Sequence, residues 1–145
     1  MNTAVFRTDS ITSTSTRQYA AWYDADAHVV IASRTIGQPE WKSTVTPLTG
    51  NVKDAHNVIS IIADGDGFLH VSWDHHNHPL RYVRSKAPDS LEFPEKMVMT
   101  GQNEGAVSYP QFYKLANGDL IFLFRDGASG NGNLVVNHYD TKSQS

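Results

Sequence analysis

A recurrence constrains this chain more than any other feature. Three segments, "YAAWYD" (Tyr19 to Asp24), "LHVSWD" (Leu69 to Asp74) and "IFLFRD" (Ile121 to Asp126), are apolar, strand-like runs ending in aromatic-x-Asp or its near equivalent. Their closing aspartates lie 50 and then 52 residues apart. A second strand-like run follows each marker after a short polar loop: "HVVIASR", "PLRYVRS" and "NLVVNHYD". Two units also carry a run before the marker, "NVISIIADGDG" and "YPQFYKLANGD". There, Gly-containing turns (Asp64 to Gly67, Asn117 to Asp119) join that run to the next as in a hairpin. No segment shows a helical period, and the alternation with frequent turn residues predicts short antiparallel strands throughout.

Units of roughly 50 residues with three or four strands are the size of a β-propeller blade. The expected fold is therefore all-β: about three consecutive antiparallel blades of a β-propeller. They form one partial domain over residues 1–145, with units near 1–50, 51–103 and 104–145. Propellers typically have four to eight blades. Three would leave unpaired edges and an uncovered apolar face. After the second run, the first two units continue to an aromatic ("RTIGQPEW", "RSKAPDSLEF"), whereas the third stops at "YDTKSQS". The last unit thus reads as truncated and the chain as a fragment, expected to be inactive and not to fold stably alone.

Composition narrows the function classes. A net charge of -3 and pI near 6.1 give no electrostatic footprint for nucleic acid or an anionic membrane. No apolar run approaches the roughly 18–20 residues of a membrane span. The chain has no cysteine, which excludes thiol catalysis, disulfides and Cys-type zinc sites. The opening "MNTAVFRTDSITSTSTRQ" lacks the basic-then-apolar layout of a signal peptide. In a fragment, that carries no weight.

The histidines are concentrated: four of seven fall between His70 and Tyr82, three of them in "DHHNHP". Imidazoles near Asp74 suit zinc. Against this, adjacent strand residues point to opposite faces and Pro79 limits how the loop wraps, so such an ion is structural rather than catalytic. "DGDG" at Asp64 lacks the register and closing Glu of a calcium loop and reads as a hairpin turn. "GASGNGN" has neither a following helix nor a Lys for phosphate and reads as a rim loop. Trp22, Tyr23, Trp73 and Tyr82 suit sugar stacking or, more commonly in blades, core packing.

Found together and in order, "HNVIS", "WDHHNHPLRY", "YPQF" and "FRDGASGNG" resemble the BNR-repeat (bacterial neuraminidase repeat) proteins. Within these, the likeness, which runs from about Asp54 to Asp140, is to the branch containing seven-bladed propeller ulvan lyases. The resemblance implies a polysaccharide lyase that cleaves a uronate-containing acidic polymer by β-elimination. Such chemistry must neutralise the sugar carboxylate, remove the proton on C5 and protonate the departing O4. By this resemblance His56 in "DAHNV" is a proton-transfer residue, and Tyr109 in "SYPQF" is its acid or base partner. Arg125 in "FRDG" faces the carboxylate, and His76 in "DHHNHP" helps hold or neutralise it. His75, Asn57, His78 and Arg81 are expected to contact substrate. Which of His56 and Tyr109 is the base depends on the C5 configuration and stays open. No cofactor is required, and a structural metal ion is compatible with the site. The implied partner is an acidic polysaccharide rather than nucleic acid or membrane. The implied location is secreted, periplasmic or at the cell surface.

The strand pattern places these residues consistently. His56 starts the first strand of its unit and His76 follows the end of the next. Tyr109 and Arg125 hold the corresponding positions in the third unit. In an up-and-down blade these positions share one end of the hairpin, so all four are expected on one rim. Arg125, set in an apolar run, needs substrate, Asp126 or Asp74 as its partner. Three other functions compete. A glycan-binding propeller without chemistry would keep the aromatics and Arg125. A glycoside hydrolase or sialidase-like enzyme would need paired carboxylates, for which Asp54, Asp74 and Asp126 are candidates; no arginine triad with a Tyr/Glu pair can be assembled. A protein-binding repeat scaffold finds no positive feature.

Overall fold

A computed structural model describes residues 9–145. The first eight residues of the expected first unit, which open the segment read for a signal peptide, lie outside the described residues. The chain is all-β, built of three antiparallel sheets. The first comprises β1 (Ile11–Ser13), β2 (Arg17–Tyr23), β3 (His28–Thr35) and β4 (Lys42–Thr49), in that spatial order. The second comprises β5 (Ile59–Ala63), β6 (Leu69–Trp73) and β8 (Tyr82–Arg84). The third runs β11-β10-β9-β7, from β11 (Asn131–Tyr139), β10 (Leu120–Ala128) and β9 (Val107–Lys114) to β7 (His76–His78).

Each sheet contains a three-strand meander: β1-β2-β3, β5-β6-β8 and β9-β10-β11. Across the three sheets β1 adjoins β5 and β5 adjoins β9, so the marker runs "YAAWY", "LHVSW" and "IFLFR" are the equivalent second strands β2, β6 and β10. Asp24 closes β2. Its Oδ1 accepts the backbone N–H groups of Asp26 and His28, both at 2.9 Å, capping the β2–β3 turn. Asp64 does the same for Asp66 and Phe68 in the β5–β6 turn, again at 2.9 Å. These are Asx turns, and "DGDG" is a hairpin turn as read.

The middle sheet is packed on both faces, and β6 shows why its pattern looks continuous: all five residues are buried. Leu69, Val71 and Trp73 join Tyr19, Tyr23, Val29 and Ile31 in one core with the first sheet. Tyr82 and Leu80 join Val107, Phe112, Phe122 and Phe124 in a second core with the third sheet. The alternate β6 residues are polar and buried, so they need partners. His70 Nδ1 lies 2.8 Å from the Tyr82 hydroxyl and its Nε2 3.3 Å from Asp64. The Ser72 hydroxyl donates to the Arg81 carbonyl at 3.1 Å. Tyr23, Trp73 and Tyr82, weighed as sugar-stacking aromatics, are core residues.

β7 links the two halves of the site described next. It lies in the connection between β6 and β8 of the middle sheet, yet it pairs with β9 of the third.

Candidate functional site

Before β5, residues 50–58 form a loop fixed from below. Asp74 Oδ1 accepts the Asn51 N–H at 3.0 Å, and the Asn57 side-chain amide donates to the Asn51 carbonyl at 3.2 Å. Within the loop Asp54 makes an Asx turn, its Oδ1 accepting the His56 N–H at 2.9 Å. The same carboxylate reaches two rings: Oδ1 lies 2.7 Å from His56 Nδ1, and Oδ2 lies 2.6 Å from His76 Nδ1. These contacts hold its carboxyl well below the usual range. The His56 backbone N–H contributes most, followed by the rings of His76 and His56.

His76 arrives from the other side of the blade. Asp74 and Asn77 both have positive φ, 62° and 63°, a conformation short polar residues tolerate. Between them the chain turns so that His75 goes inward and His76 outward. The Asn77 N–H donates to the Ser108 hydroxyl at 2.8 Å, and that hydroxyl donates to the Gly127 carbonyl at 2.9 Å. Ser108 thereby fastens the His76 strand to β9 and to the end of β10. The sequence drew no attention to it.

Tyr109 sits in a β-bulge. β9 pairs Gln111 with Leu123 and Ser108 with Arg125, leaving Tyr109 and Pro110 opposite Phe124 alone. Its φ is 55°, an outlier for a bulky residue and doubly so before proline. Such strain costs about 1–3 kcal/mol and gathers at functional sites; bulges re-aim side chains there. The Tyr109 ring lies 5.9 Å from the His56 ring and 6.1 Å from the His76 ring, centroid to centroid. The two imidazoles stack at 4.2 Å. The Arg125 guanidinium stands 4.7 Å from the Tyr109 ring centre. Its Nε donates to the Gly127 carbonyl at 3.4 Å, and its Nη2 is buried without a hydrogen-bond partner. Among the described residues Arg125 pairs with no carboxylate. The alternatives Asp126 and Asp74 do not take it, and Asp74 is ion-paired to Arg81 at 2.5 Å.

His56, His76, Tyr109 and Arg125, from four separate stretches of chain, therefore form one cluster. The other four expected contacts have different surroundings. His75 is 1% exposed and Asn57 0%, so neither side chain presents itself to a glycan. His75 Nε2 instead accepts the Arg81 N–H at 2.8 Å. Burial first, then the Arg81 charge, holds the His75 pKa down to about 3. The Arg81 guanidinium is spent on Asp74, donating to its carbonyl at 2.6 Å as well as to its carboxylate. His78 Nδ1 accepts the His76 N–H at 3.2 Å. These contacts tie the four residues to the loop and to the His76 turn.

Asp54 is the site residue that reading the sequence for this chemistry missed, having entered only as a hydrolase carboxylate. "DAH", an Asx-turn former two residues before a histidine, was the available signal. Asp54, His56 and His76 are also the group among the described residues whose ligand atoms, within 4.8 Å of one another, suit a metal ion. Those atoms are engaged with each other in hydrogen bonds. Of the residues weighed for a metal, the "HHNH" histidines with Asp74, His76 belongs to this group, while His75, His78 and Asp74 do not.

The family described as "BNR repeat-containing family member" matches residues 17–145. No curated protein matches the sequence. Among solved structures the chain is similar to the polysaccharide lyase Uly1, with a TM-score of 0.84 at 18% identity over 98% of this chain. It is also similar to a PL25 ulvan lyase, with a TM-score of 0.71 at 16% identity over 94% of the chain. The form of that enzyme bound to -[GlcA(1-4)Rha3S]- matches at 0.71 and 15%. The chain spans 40% of Uly1 and 35% of the PL25 enzyme. At these identities the likeness establishes the fold: three antiparallel sheets matching part of a lyase propeller.

Proposed function

The chain belongs to the BNR repeat-containing family, and from that premise we propose that the protein is a polysaccharide lyase cleaving a uronate-containing, ulvan-like polymer by β-elimination. One observation carries the reading. Among the described residues Arg125 has no carboxylate partner and is held over Tyr109, and beside Tyr109 stand two imidazoles oriented by one carboxylate. An arginine without a protein anion is a receptor for a ligand's anion, and its planar fork suits a carboxylate. That a similar fold binds a glucuronate-containing oligosaccharide supports a uronate as that anion.

In this scheme Arg125, with His76, holds the uronate carboxylate and stabilises the charge that flows into it as C5–H breaks. The C5 proton passes to one of His56 and Tyr109. The C4–C5 double bond forms, the C4–O4 bond breaks, and the other residue supplies the proton that O4 takes up. The two rings are close enough to flank a single sugar. The chemistry uses no cofactor. On this reading, with a polymeric acidic substrate, the protein works outside the cytoplasm: secreted, periplasmic or at the cell surface.

The test is ultraviolet absorbance of the unsaturated uronate, followed with the whole protein on ulvan and other uronate polymers. His56→Ala and Tyr109→Phe are each expected to lower the rate by roughly 100-fold or more, the scale of lost proton transfer. Binding without any absorbance rise would leave a glycan-binding propeller instead.

A further inference from the structure

We infer that Asp54 is a positioning residue of the proposed elimination: its one carboxylate takes an N–H from both His56 and His76 and sets both rings in the same tautomer. The inference rests on the lyase reading for its consequence, but on geometry for its substance. Each ring turns Nδ1 toward a different oxygen of Asp54, at 2.7 and 2.6 Å. Were either Nδ1 unprotonated, two lone pairs would meet at that distance. In their neutral forms His56 and His76 therefore both carry their proton on Nδ1 and present the Nε2 lone pair; His76 can donate to a substrate carboxylate through Nε2 only as the imidazolium, whose charge Asp54 would offset.

Two things follow for the chemistry. Nε2 is the atom through which His56 accepts or returns a proton. When it accepts one, the Asp54 carboxylate offsets the imidazolium charge, as the carboxylate does behind a catalytic histidine in a Ser-His-Asp arrangement.

Asp54 is suited to this role and to no direct one. Both its oxygens are occupied by the rings, and Oδ1 also takes the His56 backbone N–H. The chain beneath is fixed through Asn51 to Asp74, and Asp74 to Arg81. Only a carboxylate accepts on both sides. An asparagine offers one acceptor and one donor, so it can satisfy one Nδ1–H and must reverse the other ring.

The experiment is nitrogen NMR of the histidines in the whole protein, with kcat and KM for elimination measured alongside. In the unsubstituted protein both His56 and His76 are expected as Nδ1–H tautomers. Asp54→Asn should switch one ring to Nε2–H and lower kcat at least tenfold while KM moves less than about threefold. Asp54→Ala, which removes both acceptors, should release both rings. Unchanged tautomers in both variants, or kcat unchanged while they switch, would overturn the inference. The two readings separate cleanly. If the unsubstituted protein eliminates nothing but the tautomers respond as expected, the lyase reading fails and the control of the rings by Asp54 stands.

Discussion

Between Asp74 and Asn77 two neighbouring histidines meet opposite environments, and this has a consequence for stability. His75 is buried against the Arg81 backbone with its pKa held down to about 3, whereas in the unfolded chain it titrates near 6.5. Below pH 6.5 the unfolded state binds a proton that the folded state refuses. Its contribution is therefore complete above about pH 6.5, declines as pH falls, and is gone near pH 3. The slope cannot exceed about 1.4 kcal/mol per pH unit for one group. His70, also buried and lowered, adds in the same direction. Urea unfolding of the protein at stepped pH should show this loss, and His75→Gln, which keeps an acceptor for the Arg81 N–H, should flatten it. Equal slopes in the two proteins would show that His75 does not titrate this way. From residue letters, His75 and His76 were indistinguishable except by alternation. Motif resemblance singled out His56, His76, Tyr109 and Arg125, which the fold brings together. It said nothing of Asp54 or Ser108, because a hydrogen-bond acceptor's value depends on which rings the fold brings to it.

At the scale of elements, the cluster straddles two sheets, so the site exists only while the middle and third sheets keep their spacing. Part of that spacing is set where two hairpin turns touch. The Gly65 N–H donates to the Gly118 carbonyl at 2.9 Å, and Lys114 Nζ donates to the Asp64 carbonyl at 2.9 Å. A Cβ on Gly65 would meet the Gly118 Cα at 2.8 Å, and one on Gly118 would meet the Gly65 Cα at 2.7 Å. Backbone meets backbone there, so no side chain can yield. Gly65→Ala is expected to destabilise the protein by about 1–3 kcal/mol, the scale of overpacking. Gly118→Ala should cost more, since its φ of 94° adds strain. Gly105→Ala, which meets nothing within 4 Å, is the neutral control. Denaturant midpoints decide the order, and a Gly65→Ala midpoint equal to that of Gly105→Ala would refute the contact's importance. The turns were legible in "DGDG" and "NGD", since Gly and Asx chemistry is local. Their contact was not, because it joins turns of two different sheets.

For the whole molecule, the decisive feature is the outer face of the third sheet. Register places Tyr113 beside Ile121, Leu123 beside Val136, and Arg125 beside Leu134 on one side, opposite the buried Phe112, Phe122 and Phe124. Leu134 is 68% exposed and Val136 56%, so this side is an apolar surface bounded by β11, the edge strand of its sheet among the described residues. A contiguous face of this kind ending in an edge strand is prone to association, and a propeller ordinarily packs each such face against a further blade. The isolated 145 residues are therefore expected to self-associate at micromolar concentration, seen by sedimentation velocity as species heavier than 16.1 kDa. Leu134→Lys with Val136→Lys should shift the distribution toward monomer, because charge on the face opposes its pairing with another copy. A monomer with a cooperative thermal transition in the unsubstituted chain would show instead that two cores between three sheets suffice. Arg125 stands on this same face. Whatever covers the apolar rows also sets how deeply the guanidinium is desolvated, and thus how strongly it binds an anion. If the face drives association, the isolated chain's Arg125 sits in a different dielectric from that in the whole protein. Elimination rates should then be read only from the latter.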